Sequence, residues 1–174
     1  RRMQMGRTPR RPTAALLATK GYSVHGVDVK PEVVEIINKG KIHIVEPELD
    51  AFVKSAVQSG NLKAALKPDY ADVFMITVPT PIDKNNNPDI SYVVEATKAI
   101  APYVKEYNTV ILESTSPVGT TEIVAKILKA ESSTDKFYLA YSPERVLPGQ
   151  TMRELVSNDR SEERRVGKEC IVKC

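Results

Sequence analysis

"GRTPRRPTAALLATKGYSVHGVDVK", residues 6–30, is the stretch from which the fold is read. Pro12 sits where the first turn of a helix tolerates a missing N–H, the alanine- and leucine-rich run after it favours helix, and Gly21 supplies the stop. "YSVHGVDV" at 22–29 then reads as a short strand with Asp28 at its end. A helix feeding a strand through a glycine turn is half of a βαβ unit.

The same device recurs downstream. "PEVVEIINKG" (31–40) is an amphipathic helix bracketed by Pro31 and Gly40, and "EPELDAFVKSAVQSG" (46–60) is another. "ADVFMITVPTP" (71–81) is a continuous apolar run halted at Pro79, the pattern of a strand buried on both faces. "ISYVVEATKAIAPYVK" (90–105) has helical spacing, "NTVILES" (108–114) is a strand, "TTEIVAKILKA" (120–130) a helix, and "KFYLAYSPE" (136–144) a last strand. Strands alternating with helices of this length predict an α/β, doubly wound, mostly parallel, Rossmann-like sheet. "RRMQMGRTPRR" (1–11) is too poor in apolar residues for a buried strand, so the first strand and a glycine loop are expected to be missing or replaced. The expected organisation is a basic segment at 1–11, one incomplete dinucleotide-type domain at 12–160 and an atypical tail at 161–174.

The 174 residues hold one sizeable core. The net charge of +3 is made at the ends: residues 1–11 carry five arginines and no acid, and 161–174 carry four bases against three acids. Residues 12–160 are therefore left at −3, without a basic stripe, which argues against a nucleic-acid partner. No apolar run approaches bilayer length and no leader pattern opens the chain, so no membrane partner and a cytoplasmic location are expected. Cys170 and Cys174, with His25 and His43 far away, do not make a metal site.

In such sheets a ligand sits beyond the carboxyl ends of the strands, and each strand here ends on something polar: Asp28, Thr80, Thr115 and Glu144. An acid at Asp28 can accept the two hydroxyls of an adenosine ribose; a helix cap before Pro31 is the alternative. A phosphate loop belongs about 20 residues earlier. There, over residues 5–10, only Gly6 is a glycine, and Arg7 and Arg10 would block backbone approach to a pyrophosphate. Thr80 lies between two prolines, either a mere loop or a stiff platform. Ser114, Thr115 and Ser116 precede a proline turn, with Thr120 or Thr121 as the expected helix cap. "SPERVLPG" (142–149) puts Glu144 and Arg145 side by side on a rim, where an isolated surface ion pair is the plain alternative.

These motifs, Gly21 to Asp28, "VPTP" at 78–81, "ESTSPVGTTE" at 113–122 and "SPERVLPG", resemble the amino-terminal domain of the UDP-glucose/GDP-mannose dehydrogenases, in family order from about Pro12 to Arg160. The last motif is most similar to the branch that oxidises UDP-N-acetylhexosamines. The resemblance implies an NAD-dependent oxidation of a UDP-sugar's C6 alcohol to the acid, for cell-surface polysaccharide synthesis, in an enzyme that is a homo-oligomer when full-length. It implies NAD contacts from Asp28, Thr80 and Thr115, chemistry at Thr115 and Glu144, and UDP-sugar contacts from Arg145 and Val146. The family's cysteine, lysine and UDP-binding half lie beyond this stretch, so the chain alone is expected to be inactive. Two alternatives remain: a non-enzymatic interaction module that uses the arginine-rich start, and a different NAD enzyme such as a hydroxyacid dehydrogenase.

Overall fold

The sheet is built around a strand that the composition hides. In the computed structural model, which describes residues 2–5, 11–42, 49–143, 154 and 172–173, β1 spans Arg2–Met5 and pairs in parallel with β2 (Ser23–Val27) and β4 (Val73–Ile76). Seven strands run in the order β3-β2-β1-β4-β5-β6-β7, with β3 at Leu62–Ala65, β5 at Thr109–Leu112, β6 at Tyr138–Tyr141 and β7 at Val172–Lys173. The first six are parallel, and β7 pairs antiparallel with β6. This corrects the expectation that residues 1–11 are too poor in apolar residues for a buried strand. Met3 and Met5 are buried, as is Gln4 between them, because the Gln4 side-chain carbonyl accepts the Asp69 N–H at 2.8 Å. The Arg2 N–H meets Asp72 Oδ2 at 2.8 Å and its guanidinium pairs with Asp69 at 2.6 Å. One glutamine and one arginine are thus satisfied by the segment leading into β4, and a four-residue strand closes without an apolar signature.

Helices α1 Arg11–Thr19, α2 Pro31–Asn38, α3 Leu49–Gln58, α4 Ser91–Ile100 and α5 Thr120–Glu131 connect the strands, with a 3₁₀ turn at Ala101–Tyr103 after α4. Gly21 ends α1 as expected: at φ +87° it lets its own N–H reach Ala18 O while Tyr22 N–H reaches Leu17 O, a bond pair that a side chain would strain. Strand β3 is also absent from the sequence reading. Its Leu-Lys-Ala-Ala composition favours helix, but Asn38 at the end of α2 accepts from Ala64 N–H at 2.8 Å and donates to Ala64 O at 2.9 Å. The amide side chain thereby occupies the outer edge of the sheet as a neighbouring strand would.

Two apolar clusters result. Phe74, Ile76, Val93, Val110, Leu112, Val124, Leu128 and Leu139 join β4–β6 to α4 and α5. Met5, Ala14, Ala15, Ala18, Val24, Leu49, Val53 and Leu62 join β1–β3 to α1 and α3, the small alanines letting α1 pack closely. Burying these faces is the main term holding the fold.

The Arg2–Asp69 contact has a pH signature. The Tyr70 N–H first, and the Arg2 guanidinium second, hold the Asp69 carboxyl below its usual 3.8. A depressed folded value stabilises the native state above the unfolded value, and that contribution is lost as pH falls through the folded one. Asp69→Asn is therefore expected to make the acid-side loss of stability below about pH 4 shallower. Urea titrations across that range check this; an unchanged acid limb would show that the contact contributes nothing.

Candidate active-site edge

The order of the first six strands reverses direction between β1 and β4, the place where an open parallel sheet leaves a crevice beyond its carboxyl ends. Asp28, Thr80 and Thr115 follow β2, β4 and β5, so the sheet brings these three sequence-predicted positions to one edge. Glu144, Arg145 and Val146, and the stretch 6–10 where a phosphate loop would stand, lie outside the described residues.

Asp28 is buried, its N–H donating to Ala65 O and its Oδ1 accepting the Lys30 N–H at 3.0 Å. It does not cap α2: the cap position is Lys30, with no side-chain cap bond. The carboxylate is instead fixed by a turn two residues long, at the mouth between β2 and β3. At the start of α1, Thr13 is buried and its Oγ1 has no hydrogen-bond partner among the described residues. A hydroxyl so placed in the first turn of a helix, where backbone N–H groups have no intrahelical partner, fits an anion such as a pyrophosphate.

The hydroxyls after β5 divide into different tasks. Ser114 is buried and serves the backbone of β4's extension: it accepts the Val78 N–H at 2.8 Å and donates to Val78 O at 2.7 Å. Thr80 Oγ1 donates to Thr115 O at 2.6 Å. The Thr115 side chain is exposed and its hydroxyl bonds to no described residue. Ser116 Oγ turns back to Ser114 O at 3.0 Å. From the far side, the phenol of Tyr141 at the end of β6 stands 3.3 Å from Ser116 N and 3.5 Å from Ser116 O. The expectation that Thr120 or Thr121 caps α5 does not hold. Gly119, at φ +90°, is the cap residue, and the Thr120 hydroxyl instead donates to Pro117 O at 2.7 Å. Sequence reading missed Tyr141 and Thr13, since an aromatic in a strand and a threonine in a helix carry no signal of their own.

The family model for the NAD binding domain of the UDP-glucose/GDP-mannose dehydrogenase family matches residues 11–168. The chain belongs to this family. It is 52% identical over 160 residues to a UDP-N-acetyl-D-mannosamine dehydrogenase of Campylobacter jejuni, covering 86% of this chain and 39% of that protein. It is 48% identical over 159 residues to an NDP-N-acetyl-D-galactosaminuronic acid dehydrogenase of Ralstonia nicotianae, covering 86% of this chain and 38% of that protein. The solved structure of a UDP-D-ManNAc dehydrogenase from Pyrococcus horikoshii superposes with a TM-score of 0.86 at 37% identity, over 91% of this chain and 40% of that one. As a member of the UDP-glucose/GDP-mannose dehydrogenase family, the chain spans about two fifths of the length of the curated relatives it matches. The family's cofactor is NAD, and the matched part is its NAD binding domain. Among the described residues no helix is long and apolar enough to cross a membrane.

Proposed function

We propose that this chain is the cofactor-binding part of an NAD-dependent nucleotide-sugar 6-dehydrogenase that converts the C6 alcohol of UDP-N-acetylmannosamine, or a related UDP-sugar, to the uronic acid. The observation that carries this is the gathering of Asp28, Thr80 and Thr115 on one carboxyl edge, across the point where strand order reverses. NAD supplies the hydride acceptor, used twice per sugar. Asp28 accepts the adenosine ribose hydroxyls. The N-terminus of α1, with the Thr13 hydroxyl, faces the pyrophosphate. Thr80 and Thr115 meet the nicotinamide end, and the Thr115 hydroxyl, unbonded among the described residues, lies where a proton leaves the reacting alcohol. Glu144 orients the substrate or the water needed for the second oxidation, and Arg145 and Val146 touch the UDP-sugar. Residues 12–160, with β1 from the stretch before them completing the sheet, form the domain that does this, in a cytoplasmic, homo-oligomeric enzyme serving cell-surface polysaccharide synthesis.

The interaction-module alternative loses ground because Arg2, one of its five arginines, is part of β1 and paired with Asp69. Similarity to dehydrogenases of N-acetylated nucleotide sugars weighs against a hydroxyacid substrate.

The test joins this chain, with a glycine loop placed over residues 5–10, to the carboxyl-terminal part of the Campylobacter relative, and follows NADH with UDP-N-acetylmannosamine. Thr115→Val is expected to lower kcat by about a hundredfold or more, the scale of a lost proton-transfer group. No NADH from any UDP-sugar, or faster turnover of a small hydroxyacid, overturns the reading.

A further inference from the structure

Three ties fasten the loop after β5 to its neighbours, and each consumes a known number of hydrogen-bond valences. Ser114 spends its proton on Val78 O and a lone pair on the Val78 N–H. Thr80 spends its only proton on Thr115 O at 2.6 Å, a short O–H···O contact. The Tyr141 phenol stands against Ser116 N and O from the opposite side. The loop's backbone is therefore bound inward at Thr115 and Ser116, while the Thr115 side chain stays exposed with its hydroxyl unspent among the described residues.

We propose that Thr80 is a positioning residue for Thr115, with Tyr141 bracing the same loop from the β6 side. Resting on the reading of this edge as the NAD site, the assignment adds a chemical restriction. With its proton committed, Thr80 meets a bound dinucleotide only as an acceptor, facing an amide N–H or a ribose hydroxyl. Thr115 keeps both a donor and two lone pairs for the reacting alcohol. Thr80 and Thr115 are thus not two interchangeable hydroxyls: the first sets the height and direction of the second. Because the tie ends on a backbone carbonyl rather than a side chain, changing the residue at 115 leaves it intact, whereas changes at 80, 114 or 141 each release one of the three ties.

The experiment uses the 174-residue chain and its Thr80→Val, Thr80→Ser and Tyr141→Phe variants. Valine keeps the shape of threonine and deletes the tie; serine keeps the tie. In the ligand-free chain, the ¹⁵N order parameters of Thr115 and Ser116 are expected to fall from about 0.85 toward about 0.6 in Thr80→Val, to stay put in Thr80→Ser, and to fall less in Tyr141→Phe. Titrated into the millimolar range by NMR, NAD is expected to bind Thr80→Val about threefold to tenfold more weakly, the equivalent of one net hydrogen bond. ADP-ribose, which lacks the nicotinamide end, is expected to bind all variants equally. Unchanged order parameters in Thr80→Val overturn the proposal, as does equal weakening of NAD and ADP-ribose. If the titration is repeated with G-x-G-x-x-G over residues 5–10 and neither ligand binds, that counts against the NAD reading instead, and the order parameters still decide whether Thr80 holds Thr115.

Discussion

Phe74→Ala is expected to lower the free energy of unfolding by about 3–5 kcal/mol, against the roughly 5–15 kcal/mol that holds a typical domain together. Phe74 is 1% exposed and lies mid-strand in β4, opposite Gln4 of β1 and Val110 of β5. It belongs to the cluster that includes Val93 and Ile100 of α4 and Leu128 of α5. Truncation leaves a cavity whose walls are held by two hydrogen-bonded neighbouring strands, so collapse around it is limited, and that places the cost toward the upper part of the range. Urea denaturation followed by circular dichroism measures it: the midpoint moves down with the slope unchanged. A loss below about 1 kcal/mol, the size of an ordinary surface substitution or little more, would mean that β4 is not the centre of the sheet.

The second large effect concerns the cofactor. This chain is expected to bind NAD weakly or not at all, and replacing residues 5–10 by G-x-G-x-x-G is expected to raise the affinity by at least about a hundredfold, the equivalent of two hydrogen bonds to a charged phosphate. The positions of the glycines, counted back from Pro12, fall on Met5, Arg7 and Arg10. Positive charge attracts a pyrophosphate, but a side chain cannot vacate the space through which the phosphate reaches backbone N–H groups. The gain has a cost, because Met5 is 3% exposed and packs with Ala14, Ala15 and Val24. Its loss is expected to take about 2–5 kcal/mol from the fold while the ligand site improves. Calorimetric titration and thermal melting of both chains separate the two effects. Tight binding by the unaltered chain would show that the arginines had taken over the phosphate site.

Much of the architecture was legible in the sequence because its signals are local. Pro12, Gly21, Pro31 and Gly40 mark helix ends through φ limits that operate whatever the rest of the chain does. The apolar run before Pro79 and the alternation of strands with helices announced a parallel sheet, and the polar residue at each strand end marked the candidate edge. Strands β1 and β3, no shorter than β4, β5 or β6, escaped because they are stabilised by distant side chains. Gln4 is tolerable in the core only once Asp69 arrives, and Leu62–Ala65 is extended only because β2 and Asn38 bond its two sides. Tertiary partners there override a weak local preference, which is the usual limit of propensity.

The candidate site divides along the same line. By itself the sequence determined that the fold is α/β, that an acid and two threonines stand at strand ends, and that the phosphate-loop glycines are replaced, since all of these are properties of residue type and spacing. Only the tertiary structure decided that β1 closes the centre of the sheet, that Asp28 is held by a turn rather than serving as a cap, and that Ser114, Thr80 and Thr115 have unequal tasks. A hydroxyl's task depends on where its single proton is spent, and the acceptor that takes it lies some 35 residues away in the chain for both Thr80 and Ser114. Spacing along a sequence carries no information about that choice; it is made when β4 and β5 come into register.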